Sequence, residues 1–270
     1  MGDVISINPG TRGRDWPHSH MCYIDISAVG EGLMTEEPAT IPTHQAPSRA
    51  QRLVKDGDVI LSTVRPNRRS MLYARNPSPN TVVSTGFAVL RARESDIDSR
   101  FLYALVQDRA FTDYLVTREQ GAAYPAISTN DIFEAEVALP PLWEQRRIAQ
   151  VLGSLDDKIE LHRRMCATLE EMARAIFRSW FVDFDPVRAK VAAIAEGRDP
   201  ERAAMAAISG KNEQALDTLP AETLASLRAT ASLFPSSFTD SELGEIPEGW
   251  HDGRLAELCT LNESSWNNRT

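Results

Sequence analysis

From Trp143 to about Val182 the chain contains no proline and a single glycine, Gly153. Within that stretch Ile148, Leu152, Leu155, Ile159, His162, Cys166, Leu169, Ala173, Ile176 and Trp180 follow an unbroken alternation of four- and three-residue steps. Such a seam predicts a long helix that packs against another helix with a left-handed supercoil. At 1.5 Å per residue it is on the order of 50 Å long. Ile148, Leu152, Leu155, Ile159, Leu169 and Ile176 form the expected helix-pairing set. His162 and Cys166 are weaker core formers, and either sit at a solvated edge or fix the register of the pairing.

Before this helix stand Pro140 and Pro141, and before them residues 1–141 read as one α+β domain. The runs 3–7, 22–29, 58–64, 71–75 and 81–93 are rich in Val, Ile and Thr and predict strands. One helix capped by Ser99 is expected over 100–119, where Phe101, Leu102, Leu105, Phe111, Tyr114 and Leu115 recur at helical spacing. Residues 121–129 read as a turn and 132–139 as a last strand, which the prolines break because proline lacks the N–H a sheet needs. Residues 142–184 are the long helix, and 185–245 an Ala-rich helical linker. Residues 246–270 read as the start of a second domain, because Ala256–Asn262 echoes Gly2–Asn8 position by position.

Composition narrows the class. With 42% hydrophobic and 25% charged residues the chain is globular. No apolar run approaches the ~20 residues of a membrane span. The N-terminus lacks the pattern of a signal peptide. Cys22, Cys166 and Cys259 are widely spaced, which argues against a disulfide framework or zinc site and suits the cytoplasm. The net charge of −9 is uneven: residues 1–140 carry 14 basic against 17 acidic groups, and residues 186–270 carry 8 against 13. In the first region 13 of the 14 basic groups are arginine, the side chain suited to bidentate contact with guanine and phosphate.

Three of those arginines crowd one place. In "STVRPNRRS" Arg65, Asn67, Arg68 and Arg69 surround a turn made by Pro66 and Asn67 between two strands. Arginine can pair with guanine and asparagine with adenine, while neighbouring arginines hold phosphates; a solvated basic hairpin is the plainer alternative. "GAAYPAIST" adds Tyr124, Ser128 and Thr129, with Tyr124 either at a nucleic acid or packed over the next strand. Arg12 and Arg14, in a glycine-containing loop, are further phosphate candidates. The two histidines of "WPHSH" lack partners for a metal site, and none is expected.

Catalytic signatures fail one by one. "NPSP" lacks the aromatic that would stack on a flipped base in an adenine methyltransferase. "VGEG" has no downstream glycine and helix, and no G-x-x-x-x-G-K-[ST] occurs.

The chain resembles the specificity subunit of type I restriction-modification enzymes. The resemblance rests on "LPPLWEQRRIAQVLGSLDDKIELHRR", "FRSWFVDFDPVRAK", "DSELGEIPEGW", "GDVILSTVRPNRRS" and "GAAYPAIST". It implies two target-recognition domains, each followed by a long helix. The helices pair antiparallel, hold the domains apart over an interrupted double-stranded DNA target, and dock methyltransferase subunits. Restriction subunits complete the implied complex. S-adenosylmethionine, ATP and Mg would serve those partners, with no cofactor bound by this chain. A second recognition domain stops here after its opening strand, so a fragment, a truncated gene product, or a half-subunit that forms a homodimer through its helix and reads inverted half-sites is expected. A truncated assembly protein that pairs without reading DNA is the alternative function.

Overall fold

In the computed structural model, described for residues 1–13, 15–121, 124–242, 244–251 and 253–254, the chain divides into two units, Met1–Leu161 and His162–Thr270. The first contains β1 (Ile5–Ile7), β2 (His20–Ile24), β3 (Ala39–Pro42), β4 (Ala50–Leu53), β5 (Val59–Ser62), β6 (Met71–Tyr73), β7 (Thr81–Ser84) and β8 (Phe87–Ala92). Then come α1 (Ser99–Val106), α2 (Arg109–Val116), α3 (Thr129–Phe133) and the start of α4 (Leu142–Phe181). The class is the expected α+β.

One sheet has the order β1-β8-β5-β6 and is antiparallel throughout; the other runs β3-β2-β7-β4, with β2 and β7 parallel. Along the central β5–β8 pair, side chains alternate between two cores. Val59, Leu61, Ala88 and Leu90 join Leu102, Val106, Phe111 and Leu115 of the helices. Ile60, Phe87 and Val89 join Ile24 and Val83 of the second sheet and Val54 just after β4. A sheet buried on both faces has no polar face, which is why its sequence alternates only partially.

Several local expectations are corrected. The run 81–93 is two strands in different sheets, parted at Thr85–Gly86, where an added Cβ would lie 2.7 Å from Ile26 Cδ1. The single helix over 100–119 is two helices. Asp98, not Ser99, caps the first by accepting from Arg100 and Phe101 N–H, and Asp108 caps the second by accepting from Ala110 N–H. The last strand over 132–139 is absent. Ser128 and Asp131 form a reciprocal capping box that starts α3 instead; α3 buries Ile132, and Ala135 is buried in the irregular chain that follows it. Pro140 and Pro141 therefore follow irregular chain rather than breaking a strand. Strands β3 and β4 lack apolar runs; β3 is an edge strand that can end in Pro42 because its outer N–H groups need no partner.

The predicted long helix is present as the 40-residue α4. No helix among the described residues is long and apolar enough to cross a membrane.

In the second unit α5 (Asp185–Ala195), α6 (Pro200–Ser209), α7 (Glu213–Leu216) and α8 (Ala221–Ala231) follow, with a small core of Ala204, Met205, Leu216 and Ala231. The buried Lys190 ammonium donates to Glu201 at 2.6 Å and to the Phe234 carbonyl at 2.8 Å. A hairpin, β9 (Phe238–Ser241) and β10 (Gly244–Pro247), ends the described elements. Residue 246, the expected start of a second domain, lies within β10. The Ala256–Asn262 echo and Cys259 lie outside the described residues. "FRSWFVDFDPVRAK" and "DSELGEIPEGW" meet here: Phe181 stacks on Trp250 with centroids 6.1 Å apart, and Phe184 meets the Trp250 ring edge-on at 5.6 Å.

An ion pair between a buried carboxylate and a partly exposed guanidinium secures the start of β5 to β8. Asp58, 1% exposed, takes both Arg91 Nε and Nη2 at 2.8 and 2.7 Å and accepts the Lys55 N–H at 2.7 Å. Removing one partner of such a pair leaves the other uncompensated. Asp58→Ala is expected to lower stability by about 3 kcal/mol, read as a shift of the urea midpoint with an unchanged slope.

Candidate nucleic-acid interface

The arginine-rich connection between β5 and β6 is a closed, braced loop. The Ser62 N–H bonds the Ser70 carbonyl at 2.9 Å across its base. Pro66–Arg68 make a single 3-10 turn, flanked by Arg65 and Arg69 with φ of 50° and 53°. Left-handed backbone at a non-glycine residue costs roughly 1 kcal/mol or more, so something must hold it. The Arg65 N–H donates to the Pro125 carbonyl at 2.8 Å. Arg69 does the rest: Nε donates to Glu31 Oε1 at 2.7 Å, Nη1 to Thr112 Oγ1 at 2.7 Å and Nη2 to the Gln107 carbonyl at 2.6 Å. Three of the four sequence candidates here remain outward-facing or partly so: Asn67 and Arg68 are exposed and Arg65 is half-buried. Arg69 instead turns inward and ties the loop to the α1–α2 junction.

A backbone relay brings other segments alongside. Thr85 N–H bonds the Arg49 carbonyl, Thr63 N–H the Gly86 carbonyl, and Ile127 N–H the Thr63 carbonyl, at 2.8 to 2.9 Å. Tyr124 thereby stands beside Arg65, whose guanidinium lies 5.2 Å from the ring centroid, a cation–π distance. The ring is 69% exposed, so it does not pack over a following strand. Its loop is closed by paired bonds between Gln120 and Ala126 at 2.9 and 3.0 Å. The loop needs glycine at Gly121, where φ is +93° and a Cβ would lie 3.0 Å from the Tyr124 carbonyl oxygen.

Ser128 and Thr129 lie at the start of α3, where the Ser128 hydroxyl is engaged with Asp131 at 2.7 Å. Arg12 is half-buried and its N–H extends the outer edge of β4 by bonding the Gln51 carbonyl at 2.8 Å. Arg14 lies outside the described residues.

Arg49 was not singled out in the sequence. It is 56% exposed and pairs with Asp25 at 2.8 Å, and Asp25 also accepts the Tyr23 hydroxyl at 2.8 Å. The Asp25 charge, with Tyr23 and Tyr124 contributing, holds the Arg49 guanidinium above its ordinary value. Burial pushes the Asp25 carboxyl up, but the Tyr23 and Ser27 hydrogen bonds and the Arg49 charge outweigh it and leave it below its ordinary value. A lone arginine in "APSRA" carries no signal in sequence; only the β4–β7 pairing brings it to this end of the sheets.

On α4 the expected pairing residues Ile148, Leu152, Leu155, Ile159, Leu169 and Ile176 are 36% to 60% exposed. Among the described residues no group of three or more His, Cys, Asp or Glu side chains could hold a metal ion.

The two adjacent arginines separate brace from surface. Arg69→Ala is expected to cost about 2 kcal/mol, the scale for lost charged hydrogen bonds, while Arg68→Ala stays within about 0.5 kcal/mol. Urea denaturation of both variants measures the contrast.

Residues 23–171, more than half of the chain, match the family model of the type I restriction modification DNA specificity domain. The chain is 34% identical over 225 residues to the type I restriction enzyme HindI specificity subunit of Haemophilus influenzae, covering 78% of this chain and 49% of that protein. It is 28% identical over 187 residues to the MjaIX specificity subunit of Methanocaldococcus jannaschii, with 69% and 39% covered. The chain thus spans about half or less of the length of these relatives. The crystal structure of the HsdS subunit from Thermoanaerobacter tengcongensis superimposes with a TM-score of 0.51 at 30% identity, over 66% of this chain and 46% of that one. A chain from a structure titled for complex assembly and conformational transition of the type I R-M system gives 0.52 at 30% identity, over 68% and 47%. A family model over more than half of the chain and solved neighbours at 30% identity agree, and the chain belongs to the type I restriction-modification specificity subunits.

Proposed function

We propose that this chain reads one half of an interrupted double-stranded DNA target with the loop at Arg65–Arg68. The observation that carries the reading is the pairing of a rigid, Arg69-braced loop with outward-facing Asn67 and Arg68. A preorganised loop presents arginine and asparagine to base edges at little cost in ordering. Arg65 with Tyr124, and Arg49 and Arg12 alongside, supply contacts to backbone phosphates, which position the domain without reading sequence. Arg69 positions its neighbours and makes no contact of its own.

The exposed apolar seam of α4 pairs with a second long helix. The seam residues are exposed in the single chain, and we take the helix that covers them to come from a second copy, which makes the two half-sites inverted. The same helix region recruits methyltransferase subunits, and restriction subunits join them. S-adenosylmethionine, ATP and Mg belong to the chemistry of those partners, and this chain is the non-catalytic reader. The cytoplasm, where duplex DNA and these partners meet, is the proposed location.

Two measurements test the reading. In fluorescence anisotropy, Asn67→Ala and Arg68→Ala are expected to weaken binding to the cognate duplex by roughly 10- to 100-fold and to relax base preference. Arg49→Ala should weaken all duplexes alike and lower the salt slope by about one. By light scattering the chain should have the mass of two copies, grow when methyltransferase subunit is added, and become monomeric on Leu155→Lys. A dimer with no preference among duplexes would favour the assembly-protein alternative.

A further inference from the structure

Helix α4 carries two faces, and only one is the exposed seam. Gln145, Ala149, Gly153 and Asp157 recur every four residues, and each meets the recognition domain or is buried on it. Gln145 is 1% exposed. Its Oε1 accepts the Asp98 N–H at 3.0 Å, and its Nε2 donates to the Asp96 and Pro140 carbonyls at 3.2 and 2.8 Å. It therefore ties the proline hinge to the cap of α1. Ala149 is 4% exposed. At Gly153 an added Cβ would lie 2.5 Å from Arg100 Nη1, so the helix's only glycine is the gap through which Arg100 passes. Arg100 reaches Asp157 at 3.4 Å, and Asp157 also takes Arg75. Both guanidinium groups lie over the Tyr73 ring, at 5.8 and 5.9 Å, and the Tyr73 hydroxyl bonds Ser99 at 3.0 Å.

At 100° per residue this stripe lies roughly 110° around the helix from Ile148, Leu152, Leu155 and Ile159. The stripe fixes the roll of the helix against the domain, and so the direction in which the pairing seam faces. One base pair added to a DNA gap shifts a half-site by roughly 3.4 Å and turns it by roughly 34°. A joint fixed in roll cannot follow that turn; a loose one can. We propose that Gln145, Gly153 and the Arg75–Asp157–Arg100 clasp are positioning residues that restrict the chain to one gap length between half-sites. This rests on the DNA-reading function proposed above.

The test is methylation by the chain assembled with methyltransferase subunits, on duplexes whose gap varies one base pair at a time. Gly153→Ala displaces the flexible end of Arg100 while improving helix propensity, and Asp157→Asn removes the clasp charge at an exposed position where folding is little affected. Both variants should raise methylation at neighbouring gap lengths, relative to the cognate gap, by up to roughly fivefold, with base preference inside each half-site unchanged. Variants that keep the parent's gap profile would overturn the inference and leave the DNA-reading function intact. A parent complex indifferent to half-site sequence would overturn that function, and this inference with it.

Discussion

The ladder between β5 and β8 is the constraint on which the recognition domain depends. Its alternating side chains supply both cores, so neither the helical layer nor the second sheet can pack without it. Its ends do the functional positioning. Beyond Ser62 the chain enters the braced arginine loop, and before Phe87 the Thr85–Gly86 turn links that loop to Arg49. The Asp58–Arg91 pair ties the two strands together at the opposite end. Core and candidate interface are therefore one construction, with the stable part holding the strained part in place.

That strain has a definite location. Arg65 and Arg69 both adopt left-handed backbone with φ near 50°, one on each side of a single 3-10 turn. Arg69 offsets its cost with three acceptors, surface Glu31 and the less exposed Thr112 and Gln107, and Arg65 with a backbone bond and the Tyr124 ring. Between them Asn67 and Arg68 face outward, while Pro66 is buried. A loop of four flexible residues would lose that arrangement's entropy on every encounter with DNA; this one has lost it on folding.

The features legible in sequence were those with a local or periodic cause. The 4-3 spacing gave α4 nearly to its ends, and Pro66 with its arginines marked the loop. What sequence hid depended on partners distant in the chain. Arg69 looks like Arg68 until Glu31, Gln107 and Thr112 are seen around it. Arg49 acquires a place only through β4–β7 pairing. The strand expected over 132–139 failed because the Ser128–Asp131 box starts a helix that takes in Ile132, and Ala135 and Val137 follow in irregular chain. The helix break at Asp108 leaves no mark in the sequence because the apolar spacing continues across it. Gly153 drew notice only as an exception, since its reason, the passage of Arg100, lies 53 residues away in the chain.

The most direct test of the central claim is selection of the purified chain, with methyltransferase subunits, on a pool of fully randomised duplex DNA, followed by sequencing of the bound fraction. The account predicts enrichment of one short motif in two inverted copies, separated by a fixed, unspecified gap. Recovery of a pool as random as the starting one would contradict it.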